Sequence, residues 1–384
     1  MSDALGVGVI GCGNVATRFH LPAYLARPDR ARVVALADPS VERLGEATAI
    51  AGVSPHRAFT EYADLLACPD VQMVDICAPQ QFHAQIARAA AAAGKQILCE
   101  KPITTVPADA QAILDSARAA GVTVGVMHNY LYYPEFVAAR RVIDSGEIGT
   151  VRLAIVNYLG VPDLPGAGEA AKSWRHDPIA AGGGVLIDMV HALYVAEHLI
   201  GRPAQRVSAY VTGNEAHPRV EATALCRLET DGPAALVNVG WGIGPGGVFV
   251  EGDCGSLEIR WRDGGTNPFS PLEWIEVRTS EGTRRLDLPA GLDLVPLVIE
   301  GIGGVIDDFL HAVATGRAPA ASGADGMHAL ELTLGAYMSA AIGRTVSLPL
   351  ETTDPVYLRG VAAIPELGGP SWSPVLRQRL YATD

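Results

Sequence analysis

The run "VGVIGCGNVA", Val7 to Ala16, constrains this chain most, because a short apolar stretch breaks into glycines and then into a helix-forming segment. Gly11 permits a tight turn, Gly13 lets a pyrophosphate approach the backbone, and the small Ala16 lets the helix pack on the strand. The texture repeats downstream. "RVVALAD" precedes Val41–Ala51, "VDICAP" precedes Phe82–Ala93, "QILCEK" precedes Ala108–Ala120, and "VTVGVM" closes the series. Runs this short and apolar read as parallel strands covered on both faces, with crossover helices between them. Residues 1–129 are therefore expected to form a doubly wound Rossmann sheet, an α/β dinucleotide-binding domain.

Beyond the helix-like "PEFVAARRVIDSGEIG" the pattern changes. "VRLAIVNYLG", "RVSAYVTG", "VEATALCRLE", "AALVNVGW", "SLEIRW", "EWIEVRT" and "TRRLDL" alternate apolar with polar residues between Gly, Pro and Asp breaks. Such alternation predicts an open, mainly antiparallel sheet with one face covered. Helical patterns return at Val305–Thr315 and Gly326–Ile342, and the Pro-rich tail from Glu351 is expected to wrap the surface. A chain of 384 residues is large for one core. A second α/β domain, 130–384, is expected to bind substrate and support oligomer contacts.

Composition narrows the partners. A net charge of −13 disfavours polyanions and acidic membrane surfaces, so neither nucleic acid nor membrane is expected and a small molecule is. The N-terminus shows no basic-then-apolar leader, and no stretch approaches about 18 uncharged apolar residues. Cys12, Cys68, Cys77, Cys99, Cys226 and Cys254 form no CxxC pair and mostly lie in apolar runs, which suits reduced thiols in a cytoplasmic protein. The histidines outside the glycine-rich stretch discussed below show no metal-ligand spacing, and no metal is expected.

Asp38 ends the second run, 22 residues after Ala16, where a carboxylate can accept hydrogen bonds from an adenosine ribose. Pro39 and Ser40 follow it, so no Arg stands there to hold a 2′-phosphate, and NAD is expected over NADP. "CEKP", Cys99 to Pro102, lies at the carboxyl end of the fifth run, where open α/β sheets bind ligands. Lys101 reads there either as an ordinary turn residue or as a group that stabilises an alkoxide beside a nicotinamide.

In "GGGVLIDMVHALY", three glycines run into a helix-forming stretch that carries Asp188 and His191 on otherwise apolar turns. An unpaired polar group on a packed face costs about 1–3 kcal/mol, so this pair must be met by something. On one continuous helix, residues three apart share a side. The glycines would let the backbone come close to a ligand. The plain alternative is a core pair, and Tyr194 is the nearest substitute proton donor. "MHNYLYYP" brings His128, Asn129 and Tyr130 to the same sheet edge, while Tyr132 and Tyr133 read equally well as aromatic packing. Trp174 and Arg175 precede the glycines, where an indole can stack on a sugar or simply pack.

The order of GCGNVA, Asp38, EKP, an open antiparallel sheet, "SWR" before GGG, and then Asp and His resembles the glucose-fructose oxidoreductase / inositol dehydrogenase (Gfo/Idh/MocA) family. The resemblance covers nearly the whole chain, including "SAAIGRTVSLPL". It implies an NAD(P)-dependent dehydrogenase or reductase acting on one carbinol carbon of a sugar, glycoside or cyclitol. Lys101, Asp188 and His191 would be catalytic. Gly11, Gly13, Asn14, Val15, Ala16, Asp38, Pro79, His83, Glu100 and Lys101 would hold the cofactor. Substrate would meet Lys101, Asn129, Tyr130, Trp174, Arg175, Asp188, His191 and Tyr194, in a homo-oligomer, dimer or tetramer. Many members space the Asp and His four residues apart, and here they are three apart. Two other classes fit the same architecture: an NAD-using glycosidase that oxidises its substrate only transiently, and a catalytically idle sugar or dinucleotide sensor.

Overall fold

Six short strands form the first sheet: β1 Leu5–Ile10, β2 Ala31–Ala37, β3 Ala58–Phe59, β4 Met73–Ile76, β5 Gln96–Cys99 and β6 Val124–Val126. All pair in parallel, in the order β3-β2-β1-β4-β5-β6, which is the Rossmann topology expected from the sequence. The computed structural model describes residues 4–162, 177–213, 220–242, 244–262, 270–288 and 292–367. Strand order reverses between β1 and β4, so the loops after these two strands border the crevice where such sheets take ligands. β3 has only two residues, too few to show a period, and its absence from the sequence reading has that cause.

The second sheet has nine strands: β7 Val151–Val161, β8 Arg206–Thr212, β9 Thr223–Glu229, β10 Ala234–Trp241, β11 Gly246–Gly252, β12 Gly255–Trp261, β13 Leu272–Thr279, β14 Gly282–Arg285 and β15 Val346–Ser347. They run in the order β14-β13-β12-β11-β7-β10-β9-β8-β15, antiparallel except for the β7/β10 pair. One face is buried through Val156, Val237, Val239, Cys226, Leu228, Val250 and Ile259. On the other, Tyr210, Leu225 and Leu236 stay exposed. β11, "GGVFVEG", shows no strand period in the sequence because only four residues stand between its glycines and the first three of them are apolar.

The chain divides into two compact units. The first comprises the residues up to Asn129 together with Val298–Met327; the second comprises Tyr130–Leu297 and the residues from His328 onward. The return of 298–327 to the first unit departs from a simple boundary after residue 129. It has local causes: Phe309 fills the space over Gly125, and Arg27 donates to Asp307 at 3.0 Å. The helix Leu294–Thr315 begins well before Val305, its period hidden by Gly301, Gly303 and Gly304. From Glu351 the described tail does not simply wrap the surface. It forms the helix Pro355–Arg359 and a 3-10 segment, Gly360–Leu367, which bury Val356, Ala363 and Ile364.

The stretch after the three glycines is not one helix. A single turn, Val185–Asp188, ends at Met189, and a new helix, His191–Ile200, starts after Val190. The axes of Pro178–Asp188 and His191–Ile200 differ by 42°. Angles counted along one continuous helix therefore do not relate Asp188 to His191. Among the described residues no single helix is long and apolar enough to cross a membrane.

Candidate active site

In the first unit the loops at the carboxyl ends of the strands are organised by buried carboxylates. Asp38, after β2, accepts from Cys12 N–H through one oxygen and from Ser40 N–H through the other, both at 2.8 Å. One side chain thus fixes the glycine loop and its own turn. Gly11 sits at φ +94°, and an added Cβ there would lie 2.5–2.7 Å from the backbone of Cys77 and Ala78. Around Gly13 the corresponding space is open, with no atom within 4 Å, and Thr17 N–H bonds its carbonyl to start the helix. Asn14 is exposed, Val15 half-buried and Ala16 buried. An open glycine at a helix start, beside a carboxylate at the end of the second strand, fits a dinucleotide.

Glu100 and Lys101 follow β5. Glu100 accepts Lys101 N–H at 2.9 Å through one oxygen, and its other oxygen lies 3.0 Å from His20 Nε2. His20 Nδ1 is 2.8 Å from the fully buried Asp75, in the interior of β4. With a carboxylate at each ring nitrogen, the imidazole is held as the cation. Burial, the largest single influence, pulls its pKa down, but Asp75 and then Cys77, through charge and hydrogen bonding together, outweigh it and leave it well above the ordinary 6.5. Burial likewise pushes Glu100 up, and His20 followed by Lys101 bring it below its ordinary value. His20, Asp75 and Cys77 also place their ligating atoms within 4.8 Å of one another, with the imidazole already committed to two carboxylates.

His83 is buried with Nδ1 3.0 Å from the Pro102 carbonyl and Nε2 2.7 Å from that of Ala78. Burial lowers its pKa, and the neutral ring, with a single N–H, donates to one of these two carbonyls while it packs against the other. His128 and Asn129 are buried beyond β6. Burial, reinforced by Lys101, lowers His128 to about 4 against the opposing pull of Asp325 and Glu100, so it is neutral.

In the second unit, Tyr130, His191 and Tyr194 form a buried cluster. The Tyr130 ring stacks on His191 at 4.0 Å and 12°, and on Tyr133 at 4.5 Å. His191 Nδ1 lies 2.5 Å from Tyr194 Oη, which also accepts from Tyr130 N–H at 3.3 Å. Burial chiefly raises the Tyr130 pKa, and Asp188 is among the neighbouring charges that add to it. Asp188 itself is half-buried. Trp174 and Arg175 lie outside the described residues.

Among the residues that sequence reasoning missed are Glu221 and Tyr337, which hold the glycine segment. Glu221 accepts Gly184 N–H and Leu186 N–H, each at 2.9 Å, and the Tyr337 hydroxyl at 2.7 Å. Gly183, at φ +144°, faces the Tyr337 hydroxyl so closely that a Cβ would overlap it. A Cβ on Gly184 would stand 2.6 Å from a Glu221 carboxylate oxygen. Protein packing thus accounts for two of the three glycines, in place of the expected close approach to a ligand.

The His20 bridge makes a stability prediction. Because its folded pKa is raised, His20 contributes stability that is full below pH 6.5 and is lost as pH rises through the folded value. His20→Ala leaves two carboxylates without their cation and should cost about 3–5 kcal/mol, with that pH dependence flattened. Denaturant unfolding of both proteins across pH checks this. Equal stability would contradict the bridge.

Comparison with known proteins agrees with this architecture. The model described as "Oxidoreductase family, NAD-binding Rossmann fold" matches residues 5–128, and that of the "GFO/IDH/MocA C-terminal domain" matches residues 136–258. The levoglucosan dehydrogenase of Pseudarthrobacter phenanthrenivorans is 28% identical over 84% of this chain and 92% of its own. The inositol 2-dehydrogenase of Rhizobium meliloti is 28% identical over 89% of this chain and 98% of its own. A solved levoglucosan dehydrogenase, in complex with NADH and levoglucosan, superposes with a TM-score of 0.77 over 91% of this chain and 100% of its own. At 24% identity that last likeness shows the fold alone. With both of its domains matched by models of one family, the chain is an NAD-binding oxidoreductase and belongs to the Gfo/Idh/MocA family.

Proposed function

We propose that this enzyme moves a hydride between nicotinamide and a carbinol carbon of a sugar, glycoside or cyclitol, with NAD preferred over NADP. The observation that carries this reading is the buried cluster in which Tyr130 and Tyr194 hold His191 in the unit that carries Asp188. The levoglucosan and inositol dehydrogenases among its relatives support the substrate class.

When bound, the dinucleotide supplies the hydride acceptor or donor. The chain supplies the proton chemistry. His191 acts as general base on the carbinol hydroxyl through Nε2, which requires the tautomer whose Nδ1–H donates to Tyr194 Oη. Tyr194 can serve as that acceptor while it also receives Tyr130 N–H, so it positions the base. Asp188 favours the charged imidazolium once the proton has moved, and Lys101 stabilises the developing alkoxide. Asp38 supports NAD, because a carboxylate that anchors the glycine loop accepts ribose hydroxyls and repels a 2′-phosphate. All six cysteines are free, which supports a reducing, cytoplasmic setting. The exposed Tyr210, Leu225 and Leu236 on the open sheet face support a homo-oligomer.

A panel of sugars, glycosides and cyclitols mixed with NAD, followed by absorbance of the reduced cofactor, tests the activity; no reduction with any member would refute it. On the best substrate, His191→Asn should fold and bind NAD while losing about 10²–10⁴ in turnover with a flattened pH profile. Lys101→Ala should lose about 10² or more. Normal turnover in either variant would remove that residue from the mechanism.

Titration with each cofactor should show NAD binding several-fold more tightly than NADP, and Asp38→Ala should narrow the gap. Tighter binding of NADP by the native protein would overturn the preference.

A further inference from the structure

Glu221 is a carboxylate with 2% exposure that no step above uses. Both of its oxygens are spent on one short segment. One receives Gly184 N–H, the other receives Leu186 N–H and the Tyr337 hydroxyl, and the Glu221 carbonyl accepts Val185 N–H at 3.2 Å. Three consecutive backbone amides are therefore fixed by one residue of the strand-side loop before β9. The next hydrogen bond along the chain, from Asp188 N–H to Gly184 O at 3.0 Å, hangs Asp188 on that segment. The turn is only four residues long and breaks at Met189, so it has no long helix to hold its direction. Gly183 and Gly184 carry no Cβ because Tyr337 and Glu221 stand where one would go.

We infer that Glu221 is the positioning residue of the glycine turn: its carboxyl group fixes the backbone that carries Asp188. The inference rests on the reading of Asp188 and His191 as the proton-transfer pair. An ionised carboxylate accepts backbone N–H groups more strongly than the neutral acid. Burial pushes the Glu221 pKa from its ordinary 4.5 up to about 7, against the opposing pull of those amides and Tyr337. The titratable groups that face it are Tyr337 from the helix Gly323–Ile342 and Cys226 from β9. Burial, followed by Glu221 itself, raises Tyr337 well above its ordinary value and Cys226 to about 12. Both stay neutral near pH 7, so the proton that changes the turn is that of Glu221.

The test uses the full-length protein and has two readouts. By hydrogen exchange, peptides covering Gly182–Asp188 in Glu221→Gln should exchange about fivefold or more faster than in the native protein, since the side-chain amide keeps one accepting oxygen and sets its NH2 against the other N–H. Peptides covering Gly11–Ala16 should be unchanged. In turnover, the same variant should lose about tenfold or more in kcat, with its NAD dissociation constant within about twofold of native. Should the variant not fold, the native protein decides: after correction for intrinsic rates, protection of Gly182–Asp188 should fall as pH rises from 4.5 to about 7, because opening the turn returns Glu221 to water, where it ionises more readily. Its melting temperature should fall as pH rises from 4.5 to about 7, because the folded state holds the proton longer than the unfolded chain does. Unchanged exchange in the variant, or no pH step in native protection, overturns the clamp. Faster exchange with unchanged kcat overturns the positioning role and leaves the dehydrogenase reading standing. If the native protein turns over no sugar, that reading fails, and the exchange arm still decides whether Glu221 holds the turn.

Discussion

A carboxyl group taken out of water must be met by donors, and in this protein the donors are backbone amides of three loops. Glu221 bonds Gly184 and Leu186, Asp38 bonds Cys12 and Ser40, and Glu100 bonds Lys101. The loop backbone satisfies the charge, and the charge fixes the loop. Such bonds to an ionised acceptor are stronger than neutral ones, and losing one leaves either a buried charge or a buried N–H unmet. The geometry of the nucleotide loop, the Glu-Lys-Pro segment and the glycine turn is therefore set by the same physical device.

The device also explains where glycine is needed. At Gly11 the backbone of Cys77 and Ala78 occupies the space of a side chain, while at Gly13 that space is open and suits a phosphate. At Gly183 and Gly184 it is filled by Tyr337 and Glu221. One glycine-rich segment leaves room for a ligand, and the other is packed against its own protein. The break at Met189 and Val190 then lets Asp188 and His191 be directed separately, His191 by the Tyr130 stack and the Tyr194 hydroxyl, Asp188 by the turn.

Much of the fold was legible because its signals are local. GCGNVA, the apolar parallel runs and the alternating strands each state their period within a few residues, and the two sheets follow from them. Glu221 was hidden for a definite reason. Along β9 the even-numbered residues Ala224, Cys226 and Leu228 face the core, so parity assigns residue 221 to solvent; it precedes the strand, and the chain turns it inward. Asp75 was the clearer signal, an acid inside a buried parallel strand that demands a partner, but His20 lies 55 residues away and nothing local names it. The helix break was illegible because "VLIDMVHALY" keeps an apolar period straight through it.

The most direct test of hydride transfer is isotopic. The protein is incubated with NAD and a substrate deuterated at the carbinol carbon, and the recovered nicotinamide is examined by mass spectrometry and NMR. Net oxidation coupled to His191 predicts one deuterium retained at C4 of the reduced nicotinamide, with an equal amount of carbonyl product. Consumption of a glycoside with the deuterium returned to the released sugar, and none on the cofactor, would contradict it.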